Sequence, residues 1–219
     1  MQIVNPAVAS DLEARRPLRI DIGSGPRPRP GFYGLDREAA EGVDIVADLN
    51  QPLDLLPDNC AEHVFSSHSL EHIDDLLLAV REIHRIVRPG GLVEIIAPHF
   101  SNPYYYSDPT HVRFFGLYTM SYFVDVEKQP GARKVPAFPG APRFEMEAVT
   151  LAFYRFNLFD RLFVPLLRYL VNRTPGAQHF YELRLAWIFP AAEVRYKLRP
   201  DKQNAPTRPD RVHVAAADH

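Results

Sequence analysis

Apolar and polar residues alternate through LRIDIGSG (Leu18 to Gly25) and end on two glycines. That is the pattern of a half-buried strand entering a tight turn. FYGLD (Phe32 to Asp36), VDIVADL (Val43 to Leu49) and AEHVFSS (Ala61 to Ser67) read as further short strands. The period then changes. Ile73, Leu76, Leu77, Val80, Ile83 and Val87 recur at helical spacing, with Asp74 and Asp75 at the start and Arg85 and Arg88 at the end. Both charge placements suit a helix dipole. RPGG (Arg88 to Gly91) stops that helix, and LVEIIAP (Leu92 to Pro98) is a continuous apolar run. Such runs mark strands buried on both faces, and strands alternating with a helix indicate an α/β sheet. Residues 18–98 therefore form a compact α/β core.

The pattern beyond residue 98 is less regular. Residues 99–115 read as a polar, aromatic loop, 116–126 as a helix, and 127–143, with four prolines, as a connector. FEMEAVTLAFYRF (Phe144 to Phe156) suggests a strand, Leu158 to Val171 an amphipathic helix kinked at Pro165, Tyr181 to Phe189 a short helix, and AEVRYKLRP (Ala192 to Pro200) a last strand. The expected organisation is an N-terminal arm at 1–17, one domain at 18–200, and a disordered tail at 201–219. Within the domain, 18–98 is the ligand-binding core and 99–200 elaborates a substrate pocket and adds the last strands.

Composition sharpens this picture at a few points. The chain has 219 residues, 21 of them proline against 11 glycines, so helices and strands must stop often. A net charge of -2 and a pI near 6.5 provide no basic field for nonspecific nucleic-acid binding. Cys60 is the single cysteine, which excludes an internal disulfide and fits a reducing compartment. The opening MQIVNPAVASDLEARR lacks the features of a secretory signal, and no stretch of 18 apolar residues occurs. A soluble cytoplasmic protein is the expectation.

The first chemically suggestive segment is DIGSGPRPRPGFYGLD. A Gly-x-Gly turn after a first strand lets a ligand approach the backbone, and an acid at the end of the next strand can accept from both ribose hydroxyls. Asp36 stands in that place. The dinucleotide fingerprint needs a third glycine, a helix, and an acid about 20 residues on. Here Pro26, Pro28 and Pro30 forbid the helix, and Asp36 follows Gly25 by 11 residues. Without a helix N-terminus a pyrophosphate is disfavoured, whereas a nucleoside without one remains suitable.

The ordered set DIGSG, LD, ADL, VFSSHSLEHI and EIHRIVRPGGLVEIIAP resembles the class I S-adenosylmethionine-dependent methyltransferases, nearest to the methyltransferase type 11-like group. The resemblance is good over Leu18 to Pro98 and weakens beyond. It implies an α/β fold with a Rossmann-like, mostly parallel sheet, helices on both faces and an elaborated C-terminal half. It implies S-adenosylmethionine as cofactor. Gly23, Ser24 and Gly25 would line its methionine part, with Asp21 orienting the amino group. Asp36 would hold the ribose, Asp48 and Leu49 would meet the adenine, and Ser67 and His68 would lie beneath the cofactor. The prolines at 26–30 depart from the family pattern and leave Arg27 or Arg29 as substitute anchors for the carboxylate.

Methyl transfer is an in-line displacement in which the protein mainly positions the acceptor, with a base needed only where the acceptor loses a proton. The segment APHFSNPYYYSDPTHVRFF (Ala97 to Phe115) is rich in suitable groups. His99 is the first candidate base, because histidine titrates near neutrality, and His111 is the second, with Asp108 to orient it. Alternatively, Asp-Pro-Thr-His is a turn that caps the next helix through Asp108 or Thr110. A metal site from His99, Asp108 and His111 matches no known spacing, and no metal is expected. Tyr104, Tyr105 and Tyr106 could stack on an acceptor or pack as a lid. The amphipathic segment 158–171 admits lid packing, a homodimer surface or contact with a membrane surface, without membrane insertion. The functional expectation is methylation, chiefly O-methylation, of a small-molecule or glycan- or lipid-linked acceptor, with no nucleic-acid partner. A noncatalytic nucleoside-binding protein and a nicotinamide-dependent oxidoreductase are the competing readings.

Overall fold

The computed structural model describes residues 1–203. The chain runs β1 (Gln2–Ile3), α1 (Pro6–Glu13), β2 (Leu18–Ile22), β3 (Tyr33–Asp36), β4 (Val43–Val46), β5 (Ala61–Ser67), α2 (Leu76–Ile86) and β6 (Val87–Pro98). After several 3₁₀ turns follow β7 (Arg143–Ala152), α3 (Leu158–Asn172), α4 (Pro175–Arg184) and β8 (Glu193–Asp201). The eight strands form one sheet in the order β1-β4-β3-β2-β5-β6-β8-β7. The central pairs, from β4 through β6, are parallel. β1, β8 and β7 add antiparallel edges. This is the expected Rossmann-like α/β sheet. The chain moves outward from β2 to β4 and then returns to place β5 beside β2, so strand order reverses between β2 and β5. In open α/β sheets ligands bind at the carboxyl ends of the strands flanking such a reversal.

The parallel crossovers explain where the prolines act. Between β2 and β3 the segment Pro26–Pro30 cannot be helical and instead forms turns packed against β3. It lies so close that a Cβ on Gly34 would come 2.7 Å from the Ser24 hydroxyl and 3.2 Å from Pro28. The connection at 37–42 is too short for a helix. The longer one after β4 is tied down by α2: the Glu82 carboxylate accepts from Leu53 N at 2.8 Å and from Arg85 at 2.7 Å, while Arg85 also donates to the Leu53 and Leu56 carbonyls. A carboxylate paired with a guanidinium thus satisfies backbone groups that a helix would otherwise pair internally.

α2 begins where expected, with the Asp75 side chain capping Leu78 N at 2.9 Å. Its alternate face joins β-strand residues Ile20, Ile22, Val64 and Ile95 in the buried core, through Val80, Ile83 and Ile86.

Several boundaries differ from the sequence expectation. The N-terminal segment contributes a strand as well as a helix, because Gln2 and Ile3 pair with Val46 and Ile45. RPGG does not separate helix from strand but lies within β6 as an irregularity, where the partner register jumps from Ala61–Val87 to His63–Leu92 and Gly90 takes a φ of 72°. A bulge of this kind absorbs residues that cannot continue either ladder. Residues 116–126 form 3₁₀ turns at Thr119–Phe123 and Val126–Lys128 instead of an α-helix. α4 starts at Pro175, ahead of Tyr181, behind a Thr174 cap that accepts from Ala177 N. Proline at the first helical position is a start signal. β8 reaches Asp201, past the expected tail boundary, and residues 204–219 lie outside the described residues.

His84 on α2 ties the two halves of the sheet. Its Nε2 lies 3.1 Å from the Asp201 carbonyl, its ring meets Phe144 edge-on at 5.1 Å, and Lys202 donates to the His84 carbonyl. Burial, followed by the nearby Lys202 ammonium, pushes its pKa down to about 4. The unfolded chain therefore takes a proton on this histidine that the folded protein refuses. Stability contributed by neutral His84 is full above the ordinary value of 6.5 and is lost as pH falls toward 4. Wild-type protein should lose about 3 kcal/mol more than His84→Asn between those limits in urea unfolding. Equal pH slopes would contradict this.

Candidate active site

The carboxyl ends of β2, β3 and β5 bring the nucleoside-binding candidates to one edge of the sheet. Asp21 and Ile22 lie opposite Gly34 and Leu35 on one side, and opposite Phe65 and Ser66 on the other. At the tip of β2, Gly23 takes a φ of 67° and a Cβ there would fall 2.3 Å from the Ser69 side chain. Only glycine permits both the left-handed backbone and that approach. Asp36 closes the turn from the neighbouring strand: its Oδ2 accepts from Gly25 N at 2.8 Å and its Oδ1 from Glu38 N at 3.1 Å. The expected glycine turn and acid are thus in direct contact, while space beyond Gly25 is open.

Other cofactor candidates are placed less simply. Asp21 is buried and accepts from Arg29 N at 2.7 Å, so it anchors the proline segment; burial raises its pKa above the usual carboxylate value. Arg29 reaches away to Glu94 at 3.1 Å and over the Phe65 ring, whereas Arg27 is exposed. Asp48 caps its own turn at Asn50 N, 2.9 Å away, and Leu49 is in the core. Ser67 and His68 end β5, where His68 adopts a φ of 55°, an uncommon conformation for a residue with a Cβ. His68 is held by Ile96 O through its own N–H, by Glu193 at 3.1 Å and by Glu71 at 3.5 Å. Glu193, then Glu71, raise the His68 pKa to about 9, and His68 lowers that of Glu193 to about 2. His68 is therefore a cation at neutral pH and cannot accept a proton there.

The structure separates the two expected bases. His99 is fully buried at the end of β6. Ser101 N donates to its Nδ1 at 3.2 Å, which leaves Nε2–H to face the Glu182 carboxylate at 3.3 Å. Glu182 in turn accepts from Leu117 N at 2.7 Å. Both nitrogens of His99 are engaged in holding the chain after β6 to α4. His111 lies in a different group. Its Nδ1 donates to Tyr105 O at 2.8 Å, so the lone pair is on Nε2, which faces Asp108 at 3.7 Å and Glu71 at 4.0 Å. Asp108 also closes a turn, accepting from the Thr110 N–H and hydroxyl, but no helix follows it for the turn to cap.

Glu71 is the residue that the sequence reading passed over. It is wholly buried, and neither carboxylate oxygen has a hydrogen-bond partner. A buried carboxylate needs a compensating charge, and the nearby His68 cation supplies it. The only signal in the sequence was a glutamate lodged among histidines in SHSLEHI. Glu71, His72 and His111 each place one ligand-type atom within 4.8 Å of the others. The 4.0 Å between Glu71 and His111 exceeds the roughly 3.4 Å of a filled tetrahedral site, so these side chains would have to close around an ion.

A cleft of about 440 Å³ opens along the chain that follows β6. Phe100, Tyr106, Phe114, Tyr118 and Tyr122 are among its walls, and Glu182 also lines it. The tyrosine triplet divides its roles. Tyr106 lines the cleft, buried Tyr105 stacks between His111 and Phe114 at 4.6 and 4.7 Å, and Tyr104 packs edge-on against Tyr154.

The protein is an open α/β sheet with a glycine turn and the Asp36 carboxylate in contact at its strand-order reversal, the place where such sheets bind ligands. Residues 28–95 match the family model for a methyltransferase domain. That match assigns a methyltransferase domain to this segment, and a domain of this kind takes S-adenosylmethionine as its cofactor. The matched span includes Asp36, the SLEH run and RPGG but begins after Gly25. A solved methyltransferase from Archaeoglobus fulgidus is similar at 17% identity, with 89% of this chain and 93% of that one covered and a TM-score of 0.47. The YcgJ protein of Bacillus subtilis is similar at 14%, covering 89% and 96%, with a TM-score of 0.45. A Mesorhizobium loti S-adenosylmethionine-dependent methyltransferase is similar at 16%, covering 87% and 97%, with a TM-score of 0.40. No curated protein matches the chain.

Proposed function

We propose that the protein O-methylates a small-molecule or glycan- or lipid-linked acceptor held in the aromatic cleft. The observation that carries this reading is the cleft itself, built by the segment that leaves β6 and walled by aromatic rings. Aromatic faces suit a sugar or another ring with apolar C–H surface. When bound, S-adenosylmethionine supplies an electrophilic methyl group on sulfur. The protein's own part is placement and proton handling. Asp36 offers acceptor oxygens to a ribose, and the Gly23–Gly25 turn admits the methionine part. His111 is assigned as the base, reached from the cleft past Tyr105: with Nδ1 donating to Tyr105 O, the neutral ring has its lone pair on Nε2, and Asp108 and buried Glu71 stabilise the imidazolium formed when a hydroxyl is deprotonated. Tyr105 links His111 to Phe114 on the cleft wall. His99 has a positioning role through Glu182, which accepts from Leu117 N, and is not the base.

Isothermal calorimetry tests the cofactor half of this reading. S-adenosylhomocysteine should bind at one site with micromolar affinity, and nicotinamide dinucleotides should not bind. Binding of a dinucleotide with no response to millimolar S-adenosylhomocysteine would overturn it. The acceptor half is tested by transfer of a labelled methyl group to hydroxyl-bearing sugars and phenols.

A further inference from the structure

α3 presents an apolar stripe to solvent. Leu158, Leu162, Leu166 and Leu170 follow one another every four residues and are 74%, 77%, 56% and 47% exposed. The opposite side of the helix packs inward through Val164 and Val171. The stripe extends beyond the helix, because Phe163 meets Phe189 at 5.6 Å and the adjoining Trp187 and Ile188 are 66% and 65% exposed. A face of this size is unusual on the surface of a soluble chain and marks an interaction site.

Charge identifies the partner. Arg155, Arg161, Arg168, Arg173 and Arg184 are all exposed in this region. Among the described residues none of them lies within 4.0 Å of a carboxylate. The acids between 155 and 189 are Asp160 and Glu182, and both are turned to other work. Asp160 closes the helix cap with Asn157, and Glu182 accepts from Leu117 N. The face is therefore basic on a chain whose net charge is -2. Arg161 and Arg168, seven residues apart, lie on the same side of α3, along one border of the leucine stripe. Unpaired arginines flanking a leucine and tryptophan surface match the headgroup layer of an anionic membrane, with apolar side chains entering the acyl boundary. No helix among the described residues is long and apolar enough to cross a bilayer, so the helix would lie along the surface.

We infer that α3 and the turn after α4 dock the protein onto anionic lipid membranes. The inference stands apart from the identity of the acceptor, although it favours a lipid-linked one. Trp187 is the single tryptophan of the chain and reports on the face directly. The test adds vesicles of phosphatidylcholine, with or without about one quarter phosphatidylglycerol, to the full chain. Expected are a blue shift of tryptophan emission and co-sedimentation with the anionic vesicles, both weakened in roughly 0.5 M salt. Leu162→Glu with Leu166→Glu should reduce vesicle partitioning at least tenfold while leaving circular dichroism and S-adenosylhomocysteine binding unchanged. Arg161→Glu with Arg168→Glu should remove the preference for anionic lipid. Absence of both shift and sedimentation with anionic vesicles at low salt overturns the proposal. So does a stable dimer in solution that the leucine double variant dissociates, since a second copy would then be the occupant.

Discussion

Asp36→Ala is expected to weaken S-adenosylhomocysteine binding about a hundredfold. Two losses combine. The first is direct, because a ribose presents two hydroxyl donors and a carboxylate accepts both; each charge-assisted hydrogen bond contributes about 1.5–3 kcal/mol. Two at the lower end correspond to roughly two decades of affinity. The second is local, because Asp36 Oδ2 holds Gly25 N at 2.8 Å and so fixes the turn proposed to admit the methionine part. Asp36→Asn keeps one carbonyl acceptor and should lose about tenfold. The comparison distinguishes loss of charge from loss of shape. Calorimetry reads both variants, with thermal melting as the check that the turn has not unfolded. Wild-type affinity in the alanine variant would remove Asp36 from the ribose site.

The core was legible because its signals are local. Alternation located β2 and β5, and the apolar period located α2, since each strand or helix must bury one face whatever surrounds it. The prolines showed correctly that no helix follows β2. They could not show what replaces it, because the packing of Pro28 over Gly34 joins residues from different strands. Residues 116–126 suggest a helix in sequence because Met120, Phe123 and Val124 are apolar, but they are buried for tertiary reasons and the backbone there forms 3₁₀ turns. At the site the same division appears. Asp36 and Gly25 are close in sequence and were found together. His99 and His111 were indistinguishable as letters, since only the fold buries one against Glu182, 83 residues away, and leaves the other beside Glu71. Glu193, which binds His68 across 125 residues, gave no sequence signal at all.

That contrast leads to the second large effect. His111→Asn should lower kcat for an oxygen acceptor by about 10²- to 10⁴-fold, the range of a lost general base, while leaving S-adenosylhomocysteine affinity within a few fold. Asparagine keeps a side-chain N–H that can still donate to Tyr105 O, so the loop retains its anchor and the missing element is the Nε2 lone pair. His99→Asn provides the opposing case. It removes a buried ring held by Ser101 and Glu182, so its main consequence should be a lower melting temperature, with kcat of the folded fraction falling far less than in the His111 variant. Steady-state kinetics with S-adenosylmethionine saturating separates the two, because a base acts on the chemical step and a positioning residue on the population able to perform it. A His111→Asn enzyme within threefold of wild-type kcat would end the assignment, and the proton of the acceptor would then have to leave by solvent or by a carboxylate such as Glu182 on the cleft wall.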